Sequence, residues 1–321
     1  MPTPGDSNGI LLLRLMVVFN EGFFGEKCCD LRGDKHNVLR TPWGNSIRGG
    51  NRFIVGAQRD DRCAVTGAGG FIGSHLCEAL LADGWRVRAL VHYNALGRRG
   101  FLEQIEPSDR LEIVAGDVCD PRCLRELVRG CRCVMHLAAL IGIPYSYLAP
   151  SAYVQTNVVG TLSLLEACRD EGVGRVIVTS TSEVYGSART VPIDEAHPLQ
   201  AQSPYAATKI AADKLAESYR RSFGLPVVVA RPFNTFGPRQ SARAVIPTAI
   251  MQAMDPGRAE VRLGSTGPVR DWVYVTDTAA GFVALADAPE RALDGEPYNI
   301  ATGEGHSVLE MAEREIGRAH V

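Results

Sequence analysis

The chain has no surplus of charge of either sign. Thirty-four lysines and arginines stand against 36 aspartates and glutamates, a formal net charge of −2 in 321 residues. That balance excludes the broad basic field with which proteins hold nucleic acid or an anionic membrane surface, so an anionic ligand must meet a local basic site. A long apolar run is lacking too. The longest, Ile10 to Phe19, is broken by Arg14 and falls short of the ~20 residues that span a membrane. With Asp6 and no lysine or arginine ahead of Arg14, the leader also makes a poor secretory signal. No Cys-x-x-Cys spacing occurs among the nine cysteines, an odd number, and Cys119, Cys123, Cys131 and Cys133 lack the paired-knuckle spacing of a structural zinc site. Reduced thiols, no metal, no membrane span and a cytoplasmic location are the expectation.

What is present is ordinary for a soluble protein: 45% hydrophobic and 22% charged residues, enough to bury an active site. Residues 1–61 have mixed composition without a helical or strand period and are taken as an extension of no assigned role. From Arg62 the pattern changes to short apolar strands near Cys63–Thr66, Arg86–Val91, Leu111–Ala115, Cys133–His136, Arg175–Ser180 and Val227–Ala230. Helical stretches lie between them at Phe71–Ala82, Pro121–Arg129, Tyr153–Arg169 and Pro204–Phe223. This alternation predicts an α/β fold, a Rossmann-type doubly wound parallel sheet, with ligands at the carboxyl ends of its strands. The domain would run over residues 62–230. After Arg231 the alternation weakens and Pro and Gly become frequent, so 231–321 is expected to form a smaller C-terminal substrate lobe, ending in a helical stretch at Ser307–Ile316.

The first strand runs directly into Thr66-Gly67-Ala68-Gly69-Gly70-Phe71-Ile72-Gly73, followed by a helix. In such a loop Gly67 permits the tight turn, Gly70 the close approach of a pyrophosphate, and Gly73 tight helix–strand packing. The helix N-terminus, with Phe71 and Ile72, offers N–H groups to anionic oxygens. Glycines also serve any tight turn; the strand-to-helix setting points to a dinucleotide. The second strand ends in Val91-His92-Tyr93-Asn94 with Arg98 and Arg99 beyond, and lacks the acid that holds the adenosine ribose of NAD. NAD is expected and NADP stays open. Asp117, before Val118, could reach the adenine amine or simply shape a turn.

In Ser203-Pro204-Tyr205-Ala206-Ala207-Thr208-Lys209, Ser203 suits an N-cap and Pro204 the first helical position. Tyr205 and Lys209 then share one helical face. A lysine ammonium beside a phenol favours phenolate, which could take a proton from a sugar hydroxyl; a surface Tyr–Lys pair is the bland alternative. Upstream, Thr179-Ser180-Thr181-Ser182-Glu183-Val184-Tyr185 puts hydroxyls and one carboxylate at the catalytic edge of the sheet.

Glycine loop, hydroxyl-rich strand end and Tyr-x-x-x-Lys, in this order, resemble the extended short-chain dehydrogenase/reductase family, from about Arg62 to the end of the chain. The resemblance implies that Thr181 holds the substrate hydroxyl, that Tyr205 is the acid/base, and that Lys209 lowers its pKa and binds the nicotinamide ribose. It places Asn157 and His136-Leu137-Ala138-Ala139 along the cofactor. Arg231–Arg239 and Val269–Asp277 resemble the substrate-side motifs of the nucleotide-sugar branch, which makes Asn234 and Arg270 diphosphate ligands and Thr181 and Ser182 sugar contacts. Glu183 narrows the chemistry. A carboxylate one turn from Thr181 could remove the C5 proton that a 4-keto sugar acidifies, as in 4,6-dehydratases and glucuronate decarboxylases, whereas 4-epimerases usually have none there. Glucose dehydratases put Asp before this Glu, and here it is Ser182. The Thr-Ser-Glu form is similar to mannose-type and N-acetylhexosamine-type dehydratases, and the stretch Pro232–Thr248 looks most like the second, the UDP-N-acetylglucosamine type. Members of the family continue past the position of Val321, so the substrate lobe is expected to lack some elements. A non-catalytic dinucleotide-binding regulator is the contrasting class. The two long helical stretches Tyr153–Arg169 and Pro204–Phe223 resemble the pair that builds a homodimer interface in the family.

Overall fold

The computed structural model describes residues 60–317, Ala259 and Asp294 excepted, and upstream only the backbone of Leu12–Arg14, Val38–Arg40 and Ser46–Arg48. The run Ile10–Phe19 and the extension before Asp60 otherwise lie outside the described residues. Among the described residues no helix is long and apolar enough to cross a membrane.

Two compact units emerge. Of the described residues, the larger takes in 60–235 and 273–302 and is organised by a seven-stranded parallel sheet. Its strands β1 (Arg62–Thr66), β2 (Arg86–His92), β3 (Leu111–Gly116), β4 (Cys133–His136), β5 (Arg175–Thr179) and β6 (Val227–Pro232) coincide with the six apolar runs of the sequence. Because successive side chains of a strand point to opposite faces, each strand feeds two cores. Cys63 and Val65 of β1 and Cys133 and Met135 of β4 enter one, with Leu76, Leu80, Trp85 and Phe282. Ala64 and Val134 enter the other, with Leu124, Leu127, Leu164 and Tyr219.

Helices α1 (Phe71–Ala82), α2 (Pro121–Val128), α5 (Gly160–Asp170) and α6 (Pro204–Phe223) cover these faces. The expected single stretch Tyr153–Arg169 is built from three pieces. Short helices α3 (Ile143–Leu148) and α4 (Pro150–Tyr153) lead into a π-helical turn, Val154–Val159, which continues as α5.

The last strand of the sheet and the helix before it went unread in the sequence, as did the short elements between them and β6. After β7 (Asn234–Phe236), α7 (Val245–Ala253), β8 (Glu260–Arg262) and β9 (Val269–Tyr274), the chain returns to the sheet with α8 (Val275–Asp287) and β10 (Tyr298–Ile300). β10 pairs in parallel with β6, Tyr298 opposite Ala230, completing the order β10-β6-β5-β4-β1-β2-β3. Three residues carry too little periodicity to be seen as a strand. α8 approaches β10 closely because Gly281 has no side chain: a Cβ there would stand 3.0 Å from Ile300. The sequence boundary at Arg231 therefore falls inside β6, and residues beyond it belong to both units.

Of the described residues, the smaller unit takes in 236–272 and 303–317. Here β9 pairs antiparallel with β11 (Gly305–Ser307), Arg270 opposite His306. Ala249 of α7, Val261, Leu263 and Ala312 of α9 (Val308–Gly317) make its core. Ser307 and Glu310 cap α9 reciprocally, Glu310 N–H donating to Ser307 Oγ at 3.0 Å and Ser307 N–H to Glu310 Oε2 at 2.8 Å, a capping box.

Candidate active site

The loop between β1 and α1 is held by backbone sterics. Gly67 has φ +68°, and a Cβ on it would meet Ala138 N at 2.7 Å. Gly73 is tighter still, a Cβ falling 2.2 Å from Gly67 O. Gly70 differs: its φ is −81°, and a Cβ would approach only Gly67 O, at 3.2 Å. Two glycines thus close the turn and the third keeps space open at the start of α1, where no side chain caps the helix and no acid stands in the first turn. That end suits an anion.

Beside the loop runs a buried polar chain. Thr66 Oγ1 accepts from Leu137 and Ala138 N–H, each at 3.1 Å, so its own proton goes to His136 Nδ1 at 2.8 Å. His136 Nε2–H then donates to Thr161 Oγ1 at 3.0 Å, and Thr161 to Asn157 C=O at 2.6 Å. The tautomer is fixed by these partners. Burial, and secondarily the Lys209 charge, hold the His136 pKa down at about 3, so it is a neutral link.

Asn157, expected along a cofactor, spends its amide inside the protein. Oδ1 accepts from Leu140 N–H at 2.8 Å, and Nδ2 donates to Leu140 C=O at 2.9 Å and Thr208 Oγ1 at 3.1 Å. It clamps the Leu137–Leu140 loop to α6 and does so from the π turn, a device common at functional sites. Asp117 uses one oxygen on Cys119 N–H at 2.8 Å and has the other 3.7 Å from His92, the turn-shaping role. The Val118 side chain is buried, against Gly160.

α6 begins as the sequence indicates: Ser203 Oγ accepts from Ala206 N–H at 3.1 Å and Pro204 opens the helix. Tyr205, Lys209 and Asp213, each one turn apart, are buried. Thr181 lies near enough to the Tyr205 phenol to favour its charged form, and Glu183 near enough for its charge to act on it. Thr181 also caps the 3₁₀ turn Ser182–Tyr185, its Oγ1 accepting from Glu183 N–H at 3.2 Å. Thr181, Glu183 and Tyr205 therefore come together as expected.

The electrostatics differ from expectation. Burial pushes the Tyr205 phenol well above its usual range, Thr181 acting in the opposite direction and Glu183 in the same one. Lys209 does not bond the phenol; Nζ donates to Thr179 C=O at 2.5 Å. In this state Tyr205 is a neutral phenol. Ring packing completes its setting, with Tyr153 edge-on at 6.3 Å between centroids.

A family model described as GDP-mannose 4,6-dehydratase matches residues 64–321. The chain belongs to that family. A dTDP-glucose 4,6-dehydratase of Actinoplanes sp. is 37% identical over 256 residues, 78% of this chain and 79% of the relative. A UDP-glucose 4-epimerase of Mycolicibacterium smegmatis is 37% identical over 262 residues, 80% and 81% of the two chains. Among solved structures, the dTDP-glucose 4,6-dehydratase DesIV of Streptomyces venezuelae, with NAD bound, superposes with a TM-score of 0.73 at 34% identity, covering 81% of each chain.

Within this member of the GDP-mannose 4,6-dehydratase family, Ser182 occupies the 3₁₀ turn and Asn234 opens β7 in the larger unit. Arg270 lies on β9 in the smaller unit, exposed, its Nη1 donating to Val269 C=O at 2.9 Å. Sequence reasoning missed Tyr153, Thr66 and Thr161, whose roles arise from contacts distant in the chain. A threonine ending β1 and a histidine ending β4 were the available signal, since adjacent strand ends face each other.

Proposed function

We propose that this chain is an NAD-dependent nucleotide-sugar 4,6-dehydratase. The observation that carries the reading is Glu183: a carboxylate on the turn that starts at Thr181, within electrostatic reach of Tyr205. An NAD-sized anion suits the β1–α1 loop because Gly70 leaves its space open and α1 is uncapped. Gly67, Gly70, Phe71, Ile72 and Gly73 would hold the pyrophosphate through backbone. Asp117, Val118, Leu137, Ala138 and Ala139 would line the remainder, with Asn157 fixing the loop. Tyr205 and Lys209 would meet the nicotinamide end. Bound there, NAD would supply the hydride acceptor for oxidation at C4 and the hydride donor for reduction at C6, and its positive ring would favour the phenolate of Tyr205.

The chain's own groups move the protons. Tyr205 takes the C4 hydroxyl proton while Thr181 orients that hydroxyl. Glu183 removes the C5 proton once C4 is a ketone, and the proton it now carries goes to the C6 oxygen as the C6–O bond breaks, so that one water leaves. Ser182 contacts the sugar, and Asn234 and Arg270 are each assigned to the diphosphate on their motifs. UDP-N-acetylglucosamine-type sugars are the preferred substrates in this reading, on the resemblance of the stretch Pro232–Thr248.

A second reading, 4-epimerase, is favoured by one residue: Ser182 cannot protonate a leaving hydroxyl as an aspartate would. Purified protein incubated with UDP-, GDP- and dTDP-sugars separates the two, because only a dehydratase lowers product mass by one water. We further infer a homodimer built on the Tyr153–Arg169 and Pro204–Phe223 stretches; apolar Leu148 and Val154 are exposed beside the first. A cytoplasmic site of action is inferred from free cysteines such as Cys63, Cys77 and Cys168.

A further inference from the structure

α6 buries more charge than Tyr205 alone requires. Lys209 and Asp213 are 4% and 3% exposed, and Arg231 of β6 is 5% exposed. One Asp213 oxygen, Oδ2, accepts from Arg231 Nη2 at 3.0 Å and Nε at 3.2 Å. Arg231 Nη1 donates to the Tyr185 hydroxyl at 2.9 Å, which donates to Asn299 at 2.7 Å. The other carboxylate oxygen, Oδ1, has no hydrogen-bond partner, and neither has the neighbouring Ser180 Oγ, although Ser180 lies where it favours the Asp213 charge.

A carboxylate present only to neutralise Arg231 would have no need to stand one helical turn from a second buried cation. A buried ammonium without a counter-charge loses its proton or leaves the interior. Lys209 has no acid of its own on β5, where it bonds a carbonyl. We propose that Asp213, fixed by Arg231, is a positioning residue that keeps the Lys209 ammonium charged and in place next to Tyr205. This rests on reading Tyr205 and Lys209 as the acid–base pair. Burial draws Lys209 down to about 8, and the Asp213 charge is what opposes that fall.

Around Lys209, Asp213 stands one turn along α6 and acts on it by charge, Tyr205 stands one turn back, and His136 on β4 lies within reach of the Lys209 charge; Arg231 on β6 is bonded to Asp213, and Glu183 after β5 acts on Tyr205. His136 stays neutral above about pH 3, so it adds no charge in the working range. On its far side Asp213 lines a polar cavity of about 160 Å³ with Glu195, His197, Glu217 and Arg220.

The chain has only four lysines, Lys27, Lys35, Lys209 and Lys214, so protein carrying ¹³C at lysine Cε gives few signals, and Lys209→Met assigns the one in question. In Asp213→Asn the Lys209 titration midpoint should fall by about one pH unit or more. The high-pH limb of the sugar-oxidation rate should move down with it, because turnover needs the ammonium, and Asp213→Glu should restore both. Removing one partner of a buried pair leaves an uncompensated charge and can unfold the protein, so Asp213→Asn combined with Arg231→Gln is measured beside the single variant; it leaves no orphaned guanidinium and should show the same fall. An unshifted midpoint in either folded variant, or a shifted midpoint with an unmoved rate limb, overturns the proposal. The titration needs no sugar, so a protein that converts no nucleotide-sugar while its Lys209 midpoint shifts would overturn the functional reading alone.

Discussion

Gly70 and Gly73 sit three residues apart and should fail in different ways. Gly70 has an ordinary φ, and a Cβ there would meet only Gly67 O, at a tight 3.2 Å, so Gly70→Val should cost less stability than a side chain at Gly73 while abolishing dinucleotide binding, read by titrating NAD(H) and NADP(H). Undiminished binding would remove this loop from the site. Gly73→Ala puts a methyl 2.2 Å from Gly67 O and should lose roughly 1–3 kcal/mol of stability, read by urea unfolding. His136 supplies a pH prediction with a definite sign. Its pKa falls from 6.5 to about 3 on folding, so between those values the unfolded chain binds a proton that the folded one refuses. The stability is fully present above 6.5 and is lost as pH drops, by about 1.4 kcal/mol per unit. In His136→Gln the acid slope of unfolding free energy should be shallower by that amount; an equal slope would place the titration elsewhere.

α6 shows how much of an element can be read directly and where reading stops. Ser203, Pro204 and Gly224, the last in the left-handed region at φ 67°, mark its ends, and helical spacing alone puts Tyr205, Lys209 and Asp213 on one face. Ser203→Ala should therefore cost about 1 kcal/mol, measured by thermal denaturation, with a loss near zero contradicting the cap. What the spacing does not contain is the neighbour of each residue. Lys209 meets a β5 carbonyl and Asp213 meets Arg231, 18 residues on, and both contacts depend on the order in which β5 and β6 lie side by side. The π turn was hidden for a similar reason: Val154–Val159 has the composition of any helix, and its extra residue shows only through the Asn157 clamp on Leu140. β10 was hidden because three residues in a parallel edge strand lack an alternation to detect.

At the scale of the whole molecule, six strands, the glycine loop and the Thr181–Glu183 strand end were legible because each is a local pattern, while Tyr205, on α6, was joined to them only through the family resemblance. The division of the chain beyond Arg231 was not, since residues 273–302 rejoin the sheet after a long excursion. The electrostatic state of Tyr205 also depends on the assembled fold: burial outweighs what a neighbouring lysine suggests on a helical wheel. Tyr205→Phe should stop every step of the reaction, lowering the rate by about 10²–10⁴-fold. Glu183→Gln should still allow oxidation at C4, with reduced-cofactor absorbance accumulating, yet release no 4-keto-6-deoxy sugar. The most direct test is turnover of a nucleotide-sugar by the unaltered protein in deuterated water, followed by mass spectrometry and NMR of the product. A sugar lighter by one water and carrying solvent deuterium at C5 is the predicted result; a sugar of unchanged mass with inverted C4 and no deuterium at C5 would contradict the dehydratase account and leave Glu183 without a part in the chemistry.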